Sequence, residues 1–153
     1  MNKASVSGAL VAAGWFAFFD AIITQERFHR VPATSSADWL PGFVASLGAC
    51  AIVSVPLDSL TAALDPNGSG AFVSARNRHC ASCSLFFAFS LGFSAVSLAV
   101  ALLQHNYIDS VPSVVRVTPA YCAWPGYATL VQTLAIFGAA VLLLLRRLEH
   151  KQV

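Results

Sequence analysis

The sequence predicts an all-α membrane protein of four transmembrane helices, with both termini on the same side, cytosolic or matrix. Three observations predict it. Of the 153 residues, 57% are hydrophobic and 10% are charged, against about 25% charged in a soluble domain. Mean hydropathy is +0.68. Four segments are each long enough to cross a bilayer, which takes about 20 mostly apolar residues. One domain, residues 1–153, holds them all. The net charge of +2 is small and spread out, with no basic run, which excludes nucleic acid as a partner.

The first span runs from about Ser5 to Thr24 and contains "GWFAFFDAII". Lys3 before an apolar run resembles the start of a signal peptide, but "ITQERFHR" offers no small-x-small cleavage site, so the span is expected to be retained. The second, "WLPGFVASLGACAIVSVPLDSL", covers Trp39 to about Leu60; Pro56 kinks it or marks where it leaves the membrane. The third, "SLFFAFSLGFSAVSLAVALL", covers Ser84 to Leu103, and the fourth covers about Tyr121 to Leu145. The connections "QERFHRVPATSSAD", "DPNGSGAFVSARNRHCAS" and "QHNYIDSVPSVVRVTP" are polar and rich in turn formers, with a turn at Asp65–Gly68. An even number of crossings puts Lys3, Arg76, Arg78, Arg146, Arg147 and Lys151 on one side and Arg27, Arg30 and Arg116 on the other. The positive-inside rule makes the first side cytosolic, or matrix in a mitochondrion, and leaves Trp39, Tyr121 and Trp124 at the far interface as an aromatic belt.

Polar residues inside a span need a reason, because a carboxylate at a bilayer centre costs roughly 2.5–3.5 kcal/mol on insertion scales. Asp20 sits about 20° in projection from Ala13 at 100° per residue. It borders a ridge of small side chains, Ser5, Ala9, Ala13, Ala17 and Ala21, recurring every four residues. Such ridges let helices approach closely in lipid. Three roles are open to Asp20: an interfacial carboxylate paired with a polar group or water, a contact with a partner subunit, or a proton or ion relay. Gln132 lies deep in the fourth span and is expected to make an interhelical hydrogen bond. Ser90, Ser94 and Ser97, with Ala88 and Gly92, read as packing in the third.

"HCASC", His79 to Cys83, provides three metal-ligand types where a structural zinc needs four, and Cys122 falls across the membrane. No metal site is assigned. Cys80 and Cys83 are juxtamembrane thiols, with acylation as the alternative. The chain has no GxSxG, HExxH or paired-aspartate motif, so no catalytic residue and no cofactor are assigned. "NGSG" at Asn67–Gly70 is a turn rather than a phosphate loop.

Three stretches carry a family likeness. "GWFAFFDA" supplies Gly14, Trp15 and Asp20 in a G-W-x4-D pattern; "DWLPG" spans Asp38 to Gly42; "WPGYATLVQTLAIFGAA" supplies Trp124, Pro125, Gly126 and Gln132 in an aromatic-Pro-Gly-x5-Gln pattern. In their order and spacing the chain resembles the transmembrane protein 50 family, which includes the fungal vacuolar-sorting protein 68. The middle loop and the charged tail show no such match. The resemblance implies a small four-helix protein of endosomal, Golgi or endoplasmic reticulum membranes, without enzymatic activity, acting in protein sorting beside another small tetraspanning protein.

The residues therefore read as a non-enzymatic integral membrane protein whose partners are the lipid bilayer and another membrane protein. Ala9, Ala13, Gly14, Trp15, Ala17, Asp20, Ala21, Pro125, Gly126 and Gln132 are the candidate packing and partner residues. The alternative is an accessory structural subunit of a large membrane complex, such as a mitochondrial respiratory or ATP synthase assembly. A small transporter or channel is a third reading, but it lacks the clustered intramembrane charges and broken-helix pair of such sites.

Overall fold

The structure, a computed structural model, describes residues 3–28, 35–64, 74–109 and 123–149. The described chain is helical, with no strand among those residues. Helix α1 is Lys3–Phe28; a 3-10 turn, Ser36–Trp39, leads into α2, Leu40–Ser54; α3 is Leu57–Leu64; α4 is Ala75–Leu102 and runs on as a π-helical segment, Leu103–Ile108; α5 is Trp124–Glu149. Four stretches are long and apolar enough to cross a membrane: Ser5–Gln25, Ser36–Ser54, Ala75–Ile108 and Trp124–Glu149. The protein is thus an integral membrane protein of four long helices.

Two boundaries differ from the sequence expectation. The second span ends at Ser54 instead of running to Leu60. A residue preceding proline is pushed out of the α region, and Val55 is extended, with φ −71° and ψ 124°. Past Pro56 the chain restarts as the separate helix α3. The third span is longer at both ends. Ser74 caps it, its Oγ accepting from the Asn77 N–H at 3.4 Å, so "ARNRHCAS" is helical rather than loop. At the far end the helix widens into the π segment, where the Asp109 N–H donates to the Gln104 carbonyl at 2.9 Å. The predicted turn at Asp65–Gly68, and Arg30, Arg116, Tyr121, Cys122 and Lys151, lie outside the described residues.

The contacts give the helix directions. Ser7 on α1 donates its hydroxyl to the Ala139 carbonyl on α5, while Gly14 lies against Gln132. As one number rises the other falls, so α1 and α5 are antiparallel. Gly42 meets Gln132 and Arg147 meets Ile52 and Val55, so α2 and α5 are parallel. Tyr107 packs on Gly126, so α4 is antiparallel to α5. The bundle alternates up, down, up, down. The start of α1 and the end of α5 therefore lie at one end of it, together with the Pro56 break and the start of α4.

Helix α5 touches all three of the other long helices. Small residues make the seams: Ala81, Ala88, Gly92, Ala95 and Ala99 on α4, and Ala45 and Gly48 on α2, are buried. Large rings face outward, with Phe16 73%, Phe86 70% and Phe93 63% exposed. That inside-out size pattern suits lipid, where close backbone approach and dispersion hold helices together and apolar rings face an equally apolar solvent.

Arg147 closes the Pro56 end. Proline has no N–H, so the Ile52 carbonyl, four residues earlier, loses its helical donor. The Arg147 guanidinium replaces it, with Nη1 donating to the Ile52 carbonyl at 3.2 Å and to the Val55 carbonyl at 3.1 Å.

Candidate functional site

The three motif stretches converge at the opposite end of the bundle, around Gln132. Its side chain is fully buried. Gly14 on α1 and Gly42 on α2 both pack against this residue. A Cβ on Gly42 would fall 2.5 Å from Gln132 Nε2 and 2.7 Å from Oε1; one on Gly14 would fall 3.1 Å from the Gln132 carbonyl oxygen. Only residues without a Cβ leave room for the amide and the α5 backbone to come this close. Both amide atoms of Gln132 lack a hydrogen-bond partner among the described residues. The expected interhelical hydrogen bond of Gln132 is therefore absent among them. The contact it makes is steric: the amide lies flat on the α-carbon of Gly42.

One turn before Gly42, Asp38 is completely buried. Its Oδ2 accepts from the Ser35 N–H at 2.7 Å and from the Tyr107 hydroxyl at 2.6 Å. The Ser35 contact is half of a capping box, since Ser35 Oγ in turn accepts from the Ala37 N–H at 3.3 Å. Such reciprocal caps settle the orphan donors that open a helix. Asp38 thus does two jobs: it caps the 3-10 turn that leads into α2, and it binds the π segment that follows α4. Asp38 Oδ1 has no partner among the described residues.

The π segment explains how Tyr107 reaches Asp38. Widening the helix by one residue per turn rotates the following side chains, and such bulges recur at functional sites. Tyr107 is turned inward and its ring lies on Gly126, where a Cβ would fall 2.8 Å from Tyr107 Cδ2. On α5, Thr129 and Thr133 are buried beside Gln132, but they satisfy themselves. Their hydroxyls donate to the carbonyls of Pro125 and Thr129, at 2.9 and 2.7 Å. The result is a polar latch joining four helices: Gly14, Asp38–Gly42, Tyr107, and Gly126–Gln132.

Among the predicted residues, Gly14, Ala21, Pro125, Gly126 and Gln132 are buried in the bundle. Trp15 is half-buried in an aromatic cluster with Phe18, Phe19, Trp39 and Phe43; the tightest pair is Phe18–Trp39, edge to face at 5.0 Å. The Ala9–Ala13–Ala17–Ala21 ridge is not the surface by which α1 packs within the chain. Ala21 is buried and Ala17 half-buried, but Ala9, Ala13 and Asp20 are exposed. The inward stripe is Ser7, Gly14, Phe18, Ala21 and Gln25. A four-residue repeat drifts about 40° per step, whereas a seven-residue repeat drifts about 20° the other way and stays on a neighbour. The ridge winds off α5 and onto the outer face.

Sequence reading missed Tyr107, Ser7 and Arg147. Tyr107 fell in a stretch read as a loop. The signal for Arg147 was Pro56 itself, since a proline that breaks a helix leaves a carbonyl for some donor to take.

A family model described as an uncharacterised protein family, UPF0220, matches residues 2–151. No curated protein and no solved structure matches the chain.

Proposed function

Because this chain belongs to the UPF0220 family, which is the family of transmembrane protein 50, we propose that it is a non-enzymatic partner subunit that acts in protein sorting in endosomal, Golgi or endoplasmic reticulum membranes. The compartment and the process rest on the likeness to transmembrane protein 50 and the fungal vacuolar-sorting protein 68. The partner role rests on one observation of this chain: the outer face of α1.

That face carries Gly8, Ala9, Ala12, Ala13 and the carboxylate of Asp20, with the side chains of Phe16, Phe19 and Ile23 among them, all exposed and all inside the first span. A Cβ on Gly8 would meet nothing within 4 Å. Lipid chains suit the rings but gain nothing from a carboxylate. A second helix gains close dispersion contact from the small residues and a hydrogen bond to Asp20. The polar latch then has a supporting role: it fixes α1 on α5 through Gly14, so that Asp20 is held outward.

Affinity purification of the full chain in mild detergent, with identification of co-purifying membrane proteins, tests the proposal. Ala13→Leu and Asp20→Leu alter only the outer face and are expected to abolish partner recovery while leaving thermal stability unchanged. Gly14→Leu, directed inward, is expected to lower stability. Partner recovery that survives both outer-face substitutions refutes the reading. Recovery of mitochondrial inner-membrane complexes instead transfers it to an accessory subunit there.

A further inference from the structure

A cleft of about 470 Å³ opens at the Pro56 break, between the end of α2, α3 and the first turns of α4. Its size falls within the roughly 300–1,000 Å³ of ligand-binding clefts. It lies at the end of the bundle away from the polar latch. Its lining changes character along the bundle axis. Outermost are Ser59 on α3 and Asn77 on α4; innermost, toward the apolar part of the spans, are Ala51 and Phe87. Cys80 and Ser84 lie between them. An occupant that matches both ends is amphipathic, with a polar end at the membrane surface and an apolar end in the hydrocarbon.

The charge at the mouth selects among amphipaths. Among the described residues no charged side chain lines the cleft. Arg76 and Arg78 flank Asn77 at its outer edge, exposed and half-exposed; Asp58 is the acid of the neighbouring α3. Basic residues close to the membrane surface on the cytoplasmic side attract anionic head groups, and the positive-inside expectation puts this end there. We propose that the cleft holds one glycerophospholipid with an anionic head group, its phosphate at Arg76 and Arg78, its glycerol and ester groups against Ser59, Asn77 and Ser84, and an acyl chain along Ala51 and Phe87. The proposal stands apart from the partner role of α1, which lies on another face.

Two thiols on the same helix report occupancy. Cys80 lines the cleft. Cys83, three residues on, is exposed outside it. The purified full chain is placed in vesicles of phosphatidylcholine alone or with phosphatidylserine, and the labelling rate of each thiol by an uncharged maleimide is read by mass spectrometry. Phosphatidylserine is expected to slow Cys80 several-fold and leave Cys83 unchanged. Replacing both Arg76 and Arg78 with Gln, at surface positions that leave folding intact, is expected to weaken the protection by roughly thirtyfold in lipid concentration, about fivefold per arginine. Ser84→Trp, which fills the cleft, is expected to remove the dependence on lipid. A Cys80-to-Cys83 rate ratio that is the same in both lipids overturns the proposal. So does a hydroxylamine-sensitive acyl chain on Cys80, because a covalent chain is then the occupant.

Discussion

Gly42→Ala is a direct probe of the latch. The added methyl carbon falls 2.5 Å from Gln132 Nε2 and 2.7 Å from its Cδ and Oε1. Carbon contacts are optimal at about 3.5–4.0 Å, so the gap is short by about 1 Å. Gln132 is fully buried, so the amide moves only by displacing its neighbours. Either α2 shifts outward or the amide leaves its rotamer. Overpacking of this kind costs about 1–3 kcal/mol, a fall in the folded-to-unfolded ratio of roughly 5- to 150-fold. Gln132→Ala removes the obstructing atoms along with two buried polar atoms that lack partners. The double variant Gly42→Ala/Gln132→Ala is therefore expected to be more stable than the sum of the singles, by about 1–3 kcal/mol of coupling. The assay is unfolding in mixed micelles followed by tryptophan fluorescence, with Trp15 and Trp39 beside the site. Gly8→Ala is the control: its added methyl meets nothing within 4 Å, and alanine is favoured over glycine in a helix by about 1 kcal/mol. A Gly42→Ala protein as stable as the parent, or strictly additive singles, would refute the steric account.

Tyr107→Phe keeps the ring on Gly126 and deletes one of the two donors to Asp38; a loss of about 1–3 kcal/mol in the same assay is expected, and no loss means the hydroxyl is not a tie. Arg147→Met strips two carbonyls of their donor and is expected to cost about 1.5–3 kcal/mol. Adding Pro56→Ala restores an N–H to Ile52 and is expected to recover part of that loss, whereas no recovery would disconnect Arg147 from the break. For topology, an impermeant thiol reagent is expected to label Cys80 and Cys83 from one face of the membrane and Cys122 from the other. Labelling of all three from one face is incompatible with four crossings.

The four helices were legible because lipid imposes a crude requirement, length and apolarity, that composition alone reveals. The ends were not, since hydropathy sees where the hydrocarbon stops and not where the backbone stops being helical. Ser74 extends α4 through eight polar or small residues that no membrane rule would place in a helix. The motif residues were legible individually; their meeting point was not. Gly14, Gly42 and Gln132 look like three separate small or polar oddities until the registers of α1 and α2 on α5 put them in contact. Asp38 was visible only as one letter of a motif, because its partner, Tyr107, depends on a π segment that carries no sequence signature. The ridge on α1 was legible as a packing stripe but not which way it faces: the four-residue spacing looks continuous in a linear string, while rotation about the helix carries Ala9 and Ala13 outward.

The central position of α5 has a consequence for biogenesis. Of the four long helices this one is the last to be made, yet it is the one that α1 leans on, through a bond between Ser7 and Ala139 that spans 132 residues of sequence. Until α5 is made, the first helix has little of its final neighbourhood available, and its Gly14 face is open to whatever else occupies the insertion machinery. Assembly therefore waits on α5. A chain truncated before Trp124 would present three inserted but unsettled helices, with Asp38 and Gly42 uncovered, the kind of half-built intermediate that membrane chaperones retain and proteases remove.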